Sequence, residues 1–110
     1  MSSEPKGRWV QTIKASDLDT EDVKKWEFEG KFFAIYRSPE DEFYATDDIC
    51  THEHAHLSDG YIEDNVIECP RHAGRFCYKT GEALGAPVLV DLKTYPTRLG
   101  DDEIIEIQIS

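Results

Sequence analysis

A chain of 110 residues is expected to form one domain, since a second would have too little surface to bury. Twelve basic side chains against twenty-three acidic ones give a formal charge of −11, which excludes nucleic acid and anionic membrane as partners and favours basic protein faces. No apolar run in the sequence approaches bilayer-spanning length, and Met1-Ser2-Ser3-Glu4-Pro5-Lys6-Gly7-Arg8 lacks the apolar stretch of a secretory leader, so a cytoplasmic protein is expected.

Trp9-Val10-Gln11-Thr12-Ile13 opens the fold as a weakly alternating strand, and Ala15-Ser16-Asp17-Leu18 reads as a turn. Asp19 to Lys25 reads as a loop in preference to a single helical turn, although Val23 and Trp26 have helical spacing. Trp26-Glu27-Phe28 alternates and passes through Glu29-Gly30 into the apolar run from Lys31 to Arg37, which predicts a hairpin. Ser38-Pro39-Glu40-Asp41 turns the chain, and Glu42-Phe43-Tyr44-Ala45-Thr46 returns it. Gly60-Tyr61-Ile62-Glu63 and Val66-Ile67-Glu68 flank Asp64-Asn65 as a second, shorter hairpin. Arg75 to Tyr78 is a strand, Lys79-Thr80-Gly81-Glu82 a turn and Gly85-Ala86-Pro87 a rigid loop. Asp91 to Arg98 and Glu103 to Ile109, joined by Gly100-Asp101-Asp102, close the sheet. Roughly eight to ten short strands with turns about every 8–12 residues indicate an all-β sandwich or barrel. There are no repeats and no linker.

The chemistry is concentrated between Cys50 and His72. Cys50-Thr51-His52 and Cys69-Pro70-Arg71-His72 are separated by sixteen residues, and each pair is short enough for one tight loop. Four such donors converging on one centre suit either a closed tetrahedral zinc site or a [2Fe–2S] cluster with two thiolates on one iron and two imidazoles on the other. The spacing favours the cluster, because common zinc modules pair Cys with Cys and His with His, often with the histidines on a helix. His54 and His56 lack the Cys-x-His spacing and read as polar loop residues. Cys77, five residues past His72 in an alternating segment, reads as a small strand residue, which leaves no structural disulfide and fits a reducing compartment.

At these two pairs the chain resembles the Rieske [2Fe–2S] family, whose loops read Cys-x-His and Cys-x-x-His at about this separation. The resemblance extends over nearly the whole chain and is nearest to the ferredoxins of bacterial aromatic-ring-hydroxylating dioxygenase systems. It implies one [2Fe–2S] cluster per chain, held by Cys50 and Cys69 on the inner iron and His52 and His72 on the outer. It implies an antiparallel β-sandwich or barrel base built from both chain ends, with residues 47–87 inserted as a cluster-binding subdomain of a single Rieske domain. The loop at Gly85-Ala86-Pro87 would cover the cluster. Such a carrier would take single electrons from an NAD(P)H-dependent ferredoxin reductase and pass them to a Rieske terminal oxygenase, with no catalysis of its own. Two alternatives are a small subunit of another oxidoreductase, such as an assimilatory nitrite reductase, and a zinc-stabilised interaction module.

One departure from the family and two differences from its respiratory branch matter. The respiratory branch joins its ligand loops by a disulfide, and those positions are Ala55 and Arg71 here. The glycine common after the first ligand histidine is Glu53, which places a charged side chain at the docking tip. A serine and a tyrosine that the respiratory branch uses to donate hydrogen bonds to cluster sulfurs are replaced by Gly74 and Phe76. Two neutral imidazoles in place of two thiolates move a [2Fe–2S] potential from about −400 mV to roughly −150 to +300 mV, and without those donors the low end of that range is expected.

Overall fold

A computed structural model describes residues 8–51, 55–71, 74–85 and 90–109. Ten strands run through them: β1 (Arg8–Lys14), β2 (Asp22–Phe28), β3 (Lys31–Arg37), β4 (Phe43–Asp47), β5 (Tyr61–Glu63), β6 (Val66–Glu68), β7 (Arg75–Cys77), β8 (Thr94–Tyr95), β9 (Thr97–Leu99) and β10 (Ile104–Ile109). They form three antiparallel sheets, β1-β10-β9, β2-β3-β4-β8 and β5-β6-β7. The only helical pieces among the described residues are three short 3₁₀ turns. The architecture is all-β, and Cys50 follows β4 while Cys69 follows β6.

Strand β3 explains how the sheets are layered. Its residues Phe33, Ala34, Ile35 and Tyr36 are all buried, so the run is continuously apolar where a strand with one wet face would alternate. Phe33 and Ile35 enter one core with Ala45, Tyr95, Ile105 and Ile107. Ala34 and Tyr36 enter the other, with Cys50, Leu57, Ile67, Cys69 and Phe76. The four-stranded sheet therefore has the β1-β10-β9 sheet on one face and the β5-β6-β7 sheet with the cysteine loops on the other. Tyr36 and Tyr78 stack across this second interface, ring centroids 4.5 Å apart and nearly parallel. Each tyrosine hydroxyl has a partner, Thr46 Oγ1 at 2.9 Å for Tyr36 and the Asp64 carbonyl at 2.7 Å for Tyr78.

Two expectations are corrected. The segment from Asp22 onward is strand, where a loop or helical turn was expected. Val23 pairs with Tyr36 and Trp26 with Phe33, and three residues along a strand reverse the face. Val23 accordingly packs into one core and Trp26 into the other, which imitates helical spacing. The expected strand from Asp91 to Arg98 is two short strands that change sheets: Tyr95 pairs with Ala45, whereas Thr97 pairs with Ile107. Pro96, between them, has no N–H to give to either ladder, and its carbonyl accepts from Gln108 N–H at 3.0 Å.

The two hairpins have the expected turns. Glu29 and Gly30 both have positive φ, 53° and 80°, between the paired residues Phe28 and Lys31, as a two-residue type I′ connection requires. Asp64, φ 56°, begins the two-residue connection between the paired residues Glu63 and Val66.

Candidate metal centre

The two cysteine loops close in the same way. Cys50 N–H donates to the Ala55 carbonyl at 2.9 Å, and Cys69 N–H donates to the Gly74 carbonyl at 2.7 Å. In each case the acceptor lies five residues on, so each thiol stands at the base of a short loop drawn together at its stem. The second loop is the β6–β7 connection, continuing a ladder whose last pair is Glu68 with Arg75. The first leaves β4 and is closed further down by a bridge between Ile49 and His56 and by Leu57 N–H on the Asp48 carbonyl at 2.7 Å. Thr51 Oγ1 donates to the Val90 carbonyl at 2.7 Å, which ties this loop to the chain entering β8.

Cys50 and Cys69 are 4% and 1% exposed, lie in one apolar core and are in no disulfide. The positions that carry the respiratory branch's bridge are Ala55, buried in the same core, and Arg71. Buried thiols at two matching loop stems fit the sulfur half of a mixed Cys/His ligand set, since a metal-bound thiolate needs shielding from solvent and oxidants. His52, Glu53, His54 and His72 lie outside the described residues, as do Ala86 and Pro87 of the expected covering loop. Among the described residues no three metal-ligating side chains come together.

Cys77 stands apart from this centre. It pairs with Val66, at the end of the β6–β7 ladder away from Cys69, while its neighbour Phe76 takes the core face. Burial pushes its thiol up, but hydrogen bonds from the Thr80 hydroxyl and from the Thr80 and Lys79 N–H groups bring it to a net position below the ordinary cysteine value. His56 is more than a polar loop residue. Its Nδ1 donates to Asp48 Oδ2 at 2.7 Å, and its ring meets Phe32 edge-on with centroids 5.0 Å apart. Asp48 is one of three polar residues buried among the described residues, and sequence reading passed over it. Its two-residue offset from Cys50, mirrored by His56 and Ser58 beyond the loop, was the available signal.

The Rieske [2Fe–2S] domain model matches residues 8–96. The chain belongs to the Rieske [2Fe–2S] domain family. Among its Rieske relatives, the ferredoxin component of the naphthalene 1,2-dioxygenase system of Pseudomonas putida is 48% identical over 92 residues, covering 84% of this chain and 88% of that one. Two solved structures superpose with a TM-score of 0.85. One belongs to the complex of reduced oxygenase and oxidised ferredoxin in carbazole 1,9a-dioxygenase, 34% identical and covering 91% of this chain and 92% of that one. The other is the Sphingomonas yanoikuyae B1 ferredoxin, 30% identical and covering 94% and 100%. This Rieske chain carries a [2Fe–2S] cluster and transfers electrons; it is not itself an enzyme. No helix among its described residues is long and apolar enough to cross a membrane.

Proposed function

We propose that Cys50, His52, Cys69 and His72 hold the cluster, and that this chain is the cytoplasmic ferredoxin of an aromatic-ring-hydroxylating dioxygenase system. It would receive electrons one at a time from an NAD(P)H-dependent ferredoxin reductase and deliver them to a Rieske terminal oxygenase. The observation that carries the ligand assignment is the pair of buried cysteines, each at the stem of a loop closed by the same five-residue hydrogen bond. Each loop carries one histidine, two residues past Cys50 and three past Cys69.

Bound there, a Rieske cluster supplies a reversible one-electron couple well above that of all-cysteine plant-type ferredoxins. The chain does the rest. Cys50 and Cys69 provide two anionic sulfurs in an apolar core, where burial excludes water. His52 and His72 provide neutral nitrogens, so that one added electron is not opposed by four anionic ligands. The Tyr36–Tyr78 stack and the bonded stems keep the loops on a fixed sheet, which limits rearrangement as charge arrives. The acidic surface, −11 overall, draws basic faces of partner proteins by an attraction that weakens with salt.

Reconstitution tests this function. With a reductase, NADH or NADPH and the terminal oxygenase of a naphthalene-type system, the loaded protein is expected to support turnover that stops when it is omitted. Reduction of the protein by the reductase with no electron passing to any ring-hydroxylating oxygenase would contradict the assignment. A stable complex with a large reductase subunit would favour the small-subunit reading.

A further inference from the structure

Both stems of the first cysteine loop end on one carboxylate. Asp48 is fully buried and accepts three hydrogen bonds: His56 Nδ1 at 2.7 Å and Ser58 Oγ at 3.0 Å on Oδ2, and Ser58 N–H at 2.8 Å on Oδ1. Its backbone is engaged as well, the N–H with the Phe32 carbonyl at 3.1 Å and the carbonyl with Leu57 N–H at 2.7 Å. Phe32 belongs to β3 and meets the His56 ring edge-on, with ring planes at 87°. Asp48 lies before the loop and His56 and Ser58 lie after it. A buried carboxylate is tolerated only where donors replace its lost water, so losing any one of these bonds weakens the closure of the whole loop.

We propose that Asp48 and His56 are positioning residues for the metal centre, clamping the loop that presents Cys50 and His52 and anchoring it on β3 through Phe32. The proposal rests on the reading of Cys50 and His52 as ligands. His56 acts through Asp48: its Nδ1 proton is committed to the carboxylate, and its ring to Phe32. The clamp keeps the first loop from opening and so slows loss of iron.

The test uses cluster-loaded protein with His56→Leu and His56→Asn. The asparagine amide nitrogen reaches about as far as Nδ1 and restores the donor; leucine fills the space without one. Three quantities are read: iron release into excess chelator, mass-spectrometric hydrogen exchange of the peptide spanning residues 48–58, and nitrogen couplings in the electron paramagnetic resonance spectrum of the reduced protein. For His56→Leu, iron release and exchange in residues 48–58 are expected to quicken about ten- to a hundredfold, the range for losing a hydrogen bond to a charged group. Exchange in β1 and β10 and the nitrogen couplings should be unchanged, and His56→Asn, which keeps the donor to Asp48 and loses only the ring contact with Phe32, should release iron more slowly than His56→Leu. Iron release from His56→Leu at the wild-type rate, or from His56→Asn as fast as from His56→Leu, would overturn the proposal. If His56→Leu does not fold, Ser58→Ala, which removes one donor and leaves the backbone bond, is expected to quicken exchange in the same peptide; an unchanged peptide overturns the clamp. Wild-type protein without an iron–sulfur centre overturns the ligand reading and this proposal with it. A loaded wild type with an unresponsive His56→Leu overturns this proposal alone.

Discussion

Phe76 is completely buried in the same apolar core as Cys50 and Cys69, and it offers that core a ring with no hydroxyl. A hydrogen bond to a cluster sulfur favours the reduced state, which carries one more negative charge, so a chain without such donors holds a lower potential. The native potential is expected near about −150 mV. If each added bond favours the reduced state by about 1–2 kcal/mol, Phe76→Tyr should raise the potential by roughly 40–90 mV. Protein-film voltammetry checks both: a native potential well above zero, or an unchanged potential with the cluster intact, contradicts the account. The difference between Phe76 and a tyrosine was legible in the sequence because it lies at a fixed offset from a motif. The Asp48–His56–Ser58 hydrogen bonds were not, because they form only when the chain on either side of a loop is brought together. Spacing excluded His56 as a ligand but could not say what else holds it.

At the scale of the element, turns, hairpins and the apolar run of β3 were the most legible features, and the start of β2 and the break at Pro96 the least. Gly30 and Asp64-Asn65 are residue types that favour tight turns, whereas the start of β2 reads as helix-spaced because its sheet is buried on both faces. Pro96 marks a change of sheet that no periodicity reveals. The non-glycine residues with positive φ among those described are Glu21, Glu29, Asp41, Asp64, Asp102 and Glu103, and glutamate tolerates that region less well than glycine or asparagine. Glu103, φ 58°, follows Asp102, φ 59°, in the turn into β10. Glu103→Gly relieves a left-handed cost of about 1–2 kcal/mol against an unfolded-state penalty of about 0.5–1 kcal/mol. A net gain of up to about 1.5 kcal/mol is therefore expected in urea unfolding. Glu103→Gln removes the charge and keeps the strain, so it should gain less. A lower midpoint for Glu103→Gly than for Glu103→Gln would show that strain at this turn is not limiting.

Across the whole molecule, the β5-β6-β7 sheet is held to the four-stranded sheet by an interface containing the Tyr36–Tyr78 stack. Burial is the first cause holding both phenols protonated well above the usual tyrosine range. A group whose folded pKa is raised contributes stability that is fully present below its unfolded pKa, about 10, and lost as pH rises toward the folded value. Unfolding free energy should therefore fall steeply above about pH 10, and less steeply in Tyr36→Phe, when urea midpoints are compared between pH 9 and 11; equal slopes would place the alkaline sensitivity elsewhere. The all-β class followed from strand spacing, and the cluster from two Cys/His pairs. The layered arrangement did not, because the face each residue takes on a doubly buried strand is set by packing. The most direct test of the ligand set is pulsed electron paramagnetic resonance of the dithionite-reduced protein as isolated. Two distinct, strongly coupled imidazole nitrogens on a [2Fe–2S] signal are predicted. A signal without nitrogen coupling, or a silent protein holding zinc and no sulfide, would contradict the account.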